Sequence, residues 1–185
     1  METEGRDEGG FNKNPRVVSD LIVERLKEEV DVVFGVYGGA ISNFWDALPR
    51  GNLPYVCPMH EQAAGFMAEG YAKIHGFGVA MVTSGPGALN VVTCIGNCFY
   101  DSVPVLFITG QVNTRFMKQD PALRQMGFQE TEITEIVKPI TKRAITVKSP
   151  AYVATVLDGL IKIAKDGRPG PVLLDLPTDV QSAKI

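Results

Sequence analysis

The apolar residues of this chain recur at spacings that alternate between helical and extended patterns. Between residues 15 and 29, apolar positions lie three and four residues apart with charged residues between them, which predicts an amphipathic helix. The next apolar stretch, 31–36, is β-branched and ends at glycines, so it predicts a buried strand. By the same criteria we expect helices over 41–48, 60–75, 88–100 and 150–165, and strands over 54–57, 79–83, 103–109, 144–147 and 172–176.

The predicted strands have no polar face, and helices separate them along the chain. Strands that are apolar on both sides are typical of a parallel sheet covered by helices on both faces. The sequence therefore predicts a three-layer α/β/α fold with a mainly parallel central sheet. Because ligands bind beyond the carboxyl ends of the strands in such sheets, the loops of interest are Tyr37–Gly39, Ser84–Gly87 and the polar, irregular stretch 111–130.

Length and charge limit the classes of protein that this chain can represent. It has 185 residues and a formal net charge of −3, and 45% of its residues are hydrophobic. This length suits one domain, which can form a stable core without disulfides or a metal. The mild acidity offers no patch for nucleic acid or an anionic membrane, and no segment approaches the ~20 apolar residues of a membrane span. We expect a disordered tail over 1–14 and one domain over 15–182.

Three cysteines are too few for a disulfide scaffold, which favours a reducing compartment. The charged N-terminus lacks the apolar segment of a signal peptide, so we expect a cytoplasmic protein. Cys94 and Cys98 lie four residues apart on a predicted helix, a spacing that can clamp a metal. No further ligand lies near them in sequence, so we interpret them as two buried thiols and predict no metal site.

Two features allow both a structural and a functional interpretation. The turn Ser84–Gly87 lacks the glycine and lysine positions of the known phosphate-binding fingerprints. It is either a plain strand-to-helix turn or a glycine-opened turn that lets a flat ligand approach the backbone. Glu61 stands in the first turn of the helix over 60–75. It is either a partner of the helix dipole or a buried acid or base next to small residues that leave room for a ligand.

Four segments, in this order, resemble the thiamine diphosphate enzymes: His60–Ala72, Val82–Asn90, Ile108–Val112 and Gly167–Pro177. The similarity is to the pyrimidine-binding N-terminal domain of the acetolactate synthase-like group and runs over about 15–182. It implies the three-layer fold and a site for the aminopyrimidine end of thiamine diphosphate. Mg²⁺ is expected on the diphosphate-binding domain, which this chain lacks together with the central domain. Whether FAD is needed stays open.

The resemblance also implies roles for individual residues. Glu61 is implied to be the catalytic residue, which hydrogen-bonds N1′ of the aminopyrimidine. This favours the imino tautomer, whose nitrogen removes the C2 proton of the thiazolium. The other implied site residues contact the cofactor or substrate: Pro86 and Asn90 along the aminopyrimidine, Tyr37 and Gly38 near its reacting end, and Phe128 and Gln129 beside the substrate.

The implied activity is decarboxylation or carboligation of 2-oxo acids. Val36-Tyr37 stands where the synthases carry Tyr-Pro, and Thr178 stands where they carry a lysine near the substrate entrance. These departures, with the insertion-like stretch 118–127, favour a relative that acts on another 2-oxo acid.

Because thiamine diphosphate binds between two domains, the chain is expected to supply half a site and to be inactive alone. Its expected partners are a diphosphate-binding domain or chain and a second copy, in a homodimer. Three organisations stay open: part of a longer enzyme, the small subunit of a split 2-oxo acid decarboxylase, and a non-catalytic association or regulatory module.

Overall fold

Six parallel strands form one sheet in a computed structural model that describes residues 16–185. The predicted tail over 1–14 lies outside this range. In chain order the strands are β1 (Val33–Gly35), β2 (Tyr55–Val56), β3 (Gly78–Val82), β4 (Val105–Gln111), β5 (Arg143–Thr146) and β6 (Val172–Pro177). Their order across the sheet is β2-β1-β3-β4-β6-β5. The α-helices of the described range are α1 (Val18–Leu26), α2 (Ser42–Gly51), α3 (Glu61–His75), α4 (Pro86–Asn90), α5 (Val92–Asp101), α6 (Ile133–Val137), α7 (Val153–Lys165) and α8 (Thr178–Gln181).

The helices cover both faces of the sheet. Successive side chains of a strand point to opposite faces, so Val79 and Met81 enter one apolar cluster, while Ala80 and Val82 enter the other. Helices α1, α2, α7 and α8 pack on the first face, and α3, α4, α5 and α6 on the second. This arrangement confirms the predicted three-layer α/β/α fold.

Some predicted elements need correction. The single helix predicted over 88–100 is wrong, because Val91 adopts φ −91° and ψ −3° and separates α4 from α5. The strand predicted over 54–57 is only the exposed two-residue edge strand β2. Helices α6 and α8, of five and four residues, are too short to produce a helical period and were not predicted.

A buried carboxyl group ties three strands together at their carboxyl ends. Asp175 on β6 accepts hydrogen bonds from Thr109 Oγ1 at 2.7 Å, Thr146 Oγ1 at 2.9 Å and Gln111 Nε2 at 3.1 Å. Burial disfavours the charged form and raises the pKa of Asp175 to about 6, even though the three donors lower it. The same Gln111 amide donates to the carbonyl of Thr131 at 2.8 Å, so the cluster also holds the loop after β4.

We predict that Asp175→Asn changes how stability depends on pH. A carboxyl whose pKa is higher in the folded state than in the unfolded state adds stability at low pH and loses that contribution as the pH rises through the folded pKa. The free energy of unfolding of the wild type, relative to Asp175→Asn, should fall by about 2 kcal/mol between pH 4 and pH 7. Urea denaturation at each pH measures it. Asp158→Asn, at an exposed ion pair with Arg25, is the matched control, and a pH-independent difference would contradict the prediction.

Candidate functional site

The candidate site lies between the carboxyl ends of β1 and β3, where the chain connections diverge. From β1 the chain crosses one face through α2 to reach β2, on the outer side of β1. From β3 it crosses the other face through α4 and α5 to reach β4. Neighbouring strands whose connections leave in opposite directions open a crevice, the usual ligand position in such sheets. The turns beside this crevice are Val36–Gly39 and Thr83–Gly87.

Thr83 brings these two turns into close contact. The backbone N–H of Ala40 donates to Thr83 Oγ1 at 3.2 Å. A Cβ added to Gly38 would lie 2.4 Å from Thr83 Cβ, and one added to Gly87 would lie 2.7 Å from Thr83 Cγ2. A side chain at either glycine would therefore overlap this threonine. Sequence reasoning missed Thr83, and the only signal was a β-branched residue directly before the turn.

Glu61 is the first residue of α3 and is half-buried at the crevice. The imidazole of His60 caps the helix, accepting from the backbone N–H of Gln62 at 3.1 Å through Nδ1. Asn90 Nδ2, at the end of α4, donates to Glu61 Oε2 at 2.9 Å. The other oxygen, Oε1, would lie 3.5 Å from a Cβ at Gly87. Two residues singled out in the sequence are thus joined directly.

This arrangement fits the aminopyrimidine end of thiamine diphosphate. Within residues 16–185, no side chain or backbone group forms a hydrogen bond with Glu61 Oε1. Gly87 places backbone without a side chain next to that oxygen. A carboxyl oxygen next to a bare stretch of backbone suits a flat heterocycle with a ring nitrogen. Pro86 is exposed at the first position of α4, on the same turn.

A second contact joins the turn after β3 to the long loop. Gly85 has φ +60° and ψ −122°, a conformation that essentially only glycine adopts. A Cβ there would lie 2.8 Å from Gln129 Cβ and 2.9 Å from the Gln129 carbonyl oxygen. Gln129 itself has φ +61°, and the neighbouring Phe128 is 84% exposed. The predicted pair therefore lies next to the turn that carries Pro86.

Tyr37 lies in the turn after β1, with its ring next to Trp45 of α2. Its side chain is 62% exposed, and its ring centroid lies 6.2 Å from that of Trp45, which in turn contacts Tyr55 edge-on at 5.1 Å. No hydrogen bond links Tyr37 or Phe128 to the other predicted site residues in the part of the chain that the structure describes. The structure thus brings together Glu61 with Asn90, but leaves the two aromatic side chains open to solvent.

Glu130 was not predicted from the sequence, although it directly follows Gln129. It is buried, and its carboxylate accepts hydrogen bonds from the backbone N–H groups of Lys118, Met126 and Gly127. Burial alone would raise the pKa of Glu130, but these three hydrogen bonds outweigh burial and lower it. No sequence pattern reveals the role, because the three donors are backbone groups 3 to 12 residues upstream.

The interpretation of Cys94 and Cys98 as buried thiols is confirmed. Both are buried, and desolvation raises the pKa of each thiol, that of Cys94 to about 11. Cys94 Sγ lies in the α3–α5 contact, where it donates to the Gln62 carbonyl at 3.2 Å. Cys57 is exposed and free. In the described range, no group of three or more His, Cys, Asp or Glu residues is arranged to hold a metal ion.

Residues 16–136 match the model of one protein family, described as "Thiamine pyrophosphate enzyme, N-terminal TPP binding domain". The chain belongs to this thiamine pyrophosphate enzyme family. The match covers the crevice, both glycine turns and the Phe128–Glu130 segment. Membership of this family implies thiamine diphosphate as the cofactor.

Similar proteins identify the branch of the family. The chain is 41% identical over 169 residues to the probable acetolactate synthase large subunit of Methanocaldococcus jannaschii, covering 90% of this chain and 28% of that protein. It is 45% identical over 159 residues to the mitochondrial acetolactate synthase catalytic subunit of Saccharomyces cerevisiae, covering 85% and 22%. It is 44% identical over 170 residues to the chloroplastic acetolactate synthase 2 of Nicotiana tabacum, covering 90% and 25%.

The chain is thus a TPP-binding N-terminal domain of the acetolactate synthase-like enzymes. It spans about a quarter of the length of the curated relatives that it matches. None of the described helices is both long enough and apolar enough to cross a membrane.

We predict that Gly85→Ala destabilises the domain by about 1–3 kcal/mol, because alanine adopts this backbone conformation only with strain and its Cβ would overlap Gln129. Urea denaturation of the chain measures the free energy of unfolding. Gly159→Ala is the matched control, since an added Cβ in α7 meets no atom within 4 Å and should leave stability equal or increase it. Equal stabilities for Gly85→Ala and the wild type would contradict the prediction.

Proposed function

We propose that this chain supplies the aminopyrimidine side of a thiamine diphosphate site in an enzyme that decarboxylates or ligates 2-oxo acids. The observation that carries the proposal is the hydrogen bond from Asn90 Nδ2 to Glu61 Oε2, which leaves Glu61 Oε1 without a hydrogen-bond partner among residues 16–185. When bound, thiamine diphosphate supplies a nucleophilic carbon that adds to the 2-oxo acid and a ring that accepts the electrons released on decarboxylation.

Glu61 holds and exchanges the proton at N1′ of the aminopyrimidine. Because Oε2 already accepts from Asn90, Oε1 is the oxygen left to share a proton with N1′. By sharing that proton, the Glu61 carboxyl would favour the tautomer of bound thiamine diphosphate whose exocyclic nitrogen can act as a base. Asn90 fixes the rotation of the carboxyl plane, and the fixed ends of α3 and α4 keep the two side chains at hydrogen-bond distance.

The other predicted residues complete this side of the site. Pro86 and Asn90 line the aminopyrimidine, and Gly38 lets the turn after β1 approach the reacting end, beside Tyr37. Phe128 and Gln129 extend from the long loop toward the substrate. With Thr178 in place of a lysine, the substrate is a 2-oxo acid other than, or in addition to, the substrate of the synthases.

The diphosphate end of the cofactor needs a second region, on this polypeptide or on a separate chain. That region is the one we propose to hold Mg²⁺. The relatives are roughly three to four times as long as this chain, which supports a partner domain of this kind. We place the protein in the cytoplasm, because all three of its cysteines are free.

An exposed apolar stripe on α3 supports self-association. Phe66, Met67 and Ile74 are 42%, 41% and 79% exposed, and helical spacing places them with Gly70 on one side of the helix. Glu61 faces away from this stripe, toward the crevice. Contiguous apolar surface of this kind is typical of protein–protein contacts, and we propose that a second copy covers it in a homodimer.

We predict that Glu61→Gln abolishes cofactor activation without unfolding the domain. Glutamine has a similar shape and accepts the Asn90 hydrogen bond, but it cannot exchange a proton with N1′. Hydrogen–deuterium exchange at C2 of bound thiamine diphosphate, measured in the enzyme completed by its diphosphate-binding region, should slow by about 10²- to 10⁴-fold.

The matched control is Glu135→Gln, which alters an exposed glutamate paired with Lys138. It should exchange the C2 proton at the wild-type rate, and both variants should melt at the wild-type temperature. Exchange at the wild-type rate in Glu61→Gln would rule out the proposed role of this carboxyl.

We predict that the 185-residue chain forms a concentration-dependent dimer through the α3 stripe. Replacing Phe66 and Ile74 by serine should shift the dimer toward monomer by at least about tenfold in Kd, since apolar area is lost from the interface. Sedimentation velocity over a hundredfold range of concentration measures it. Tyr152→Ser, an exposed aromatic outside α3, is the control. A wild type that is monomeric throughout that range would contradict the prediction.

A further inference from the structure

The loop between β4 and α6 is closed by one buried carboxylate. Glu130 Oε1 accepts from the backbone N–H of Lys118 at 2.7 Å, and Oε2 accepts from those of Met126 and Gly127 at 2.8 and 3.3 Å. The side chain of Glu130 therefore joins the two ends of the segment 118–127. Hydrogen bonds to a charged acceptor are about twice as strong as neutral ones, so this junction outweighs single turn contacts.

The side chain of Lys118 also stabilises this loop. Its side chain is only 13% exposed, and its Nζ contacts the Leu123 carbonyl at 3.1 Å and Glu132 at 2.7 Å. Segment 118–127 is thus held at its start by both the backbone and the side chain of one residue. The insertion-like stretch is an ordered loop with its own internal contacts.

Phe128 and Gln129, directly after this loop segment, adopt a conformation that is unfavourable in free energy. Gln129 has φ +61°, in the left-handed region that costs an L-residue roughly 1–2 kcal/mol. Phe128 is 84% exposed, although aromatic side chains normally gain stability from burial. Gln129 is packed against Gly85 so closely that no side chain fits at that glycine. A strained residue and an exposed aromatic ring beside a ligand turn indicate a conformation that serves binding.

We propose that Glu130 is a positioning residue that fixes Phe128 and Gln129 against the Gly85–Pro86 turn, where they select the 2-oxo acid. This inference rests on the proposed function, since it assigns Phe128 and Gln129 to the substrate side of that site. Glu130 does not touch the reacting atoms. It acts by holding the backbone of Met126 and Gly127, directly before the pair, in one conformation.

The decisive variant is Glu130→Gln. Glutamine matches the size of glutamate but replaces one acceptor oxygen by an NH₂ group, which cannot accept from the backbone N–H groups that face it. Amide hydrogen exchange of the 185-residue chain should show Lys118, Met126 and Gly127 exchanging at least about tenfold faster. Glu132→Gln is the matched control, because it removes only the exposed partner of Lys118 in the same loop and should leave these amides protected.

The kinetic readout separates positioning from a merely structural role. In the completed enzyme, a panel of pyruvate, 2-oxobutyrate, 2-oxoglutarate and phenylpyruvate identifies the best 2-oxo acid for the wild type. For that acid, kcat/KM of Glu130→Gln should fall by about 10- to 100-fold, mainly through KM, because displaced contacts lose alignment with the substrate. Exchange at C2 of bound thiamine diphosphate should stay within twofold of wild type, since Glu61 is untouched.

Each outcome decides the inference. Unchanged amide exchange, or a kcat/KM equal to that of Glu132→Gln, would overturn it, as would C2 exchange falling in parallel with kcat/KM. If Glu130→Gln does not fold, Glu130→Asp carries the test, since it keeps the charge but shortens the reach, and the same kinetic split is expected. Failure of the proposed function gives a different pattern, namely normal C2 exchange in Glu61→Gln or no turnover of any acid by the wild type.

Discussion

The hydrogen bond between Asn90 and Glu61 is the contact on which the candidate site depends. It joins the start of α3 to the end of α4, two helices on the same face of the sheet that follow different strands. Its geometry requires the break at Val91, because α4 ends where Asn90 can turn toward α3. It is accompanied by glycines beside Thr83, which let the two turns come close together. Local backbone geometry thus fixes the orientation of the Glu61 carboxyl group and leaves Oε1 as the oxygen that can accept a further hydrogen bond.

The fold follows from the sequence because its main elements are long and consistent in pattern. Helix α3, rich in alanine and ended by Gly76 with φ +88°, lies within one residue of its predicted range. Strands β3 and β4 are apolar on both faces and begin and end within two residues of prediction. The interruption at Val91 carries no such signal, since valine neither breaks helices as proline does nor caps them as asparagine does.

The site was predictable only in part, for a related physical reason. Glu61 and Asn90 interact through their side chains, and such a role requires particular residue types. Both residues could therefore be found from motifs in the sequence. Thr83 and Glu130 act through backbone atoms and packing space, which any residue type can supply. The burial of Asp175 likewise depends on three donors from β4 and β5, the two strands that flank β6 only in the folded sheet.

The contrast among the three thiols gives this domain a built-in attachment point. Cys94 and Cys98 are buried, and burial raises the pKa of both thiols, whereas Cys57 is exposed to solvent. A maleimide dye or nitroxide spin label should therefore react with one position of the natural sequence, four residues before Glu61. Fluorescence or electron paramagnetic resonance from that label would report on events at the crevice without any engineered cysteine.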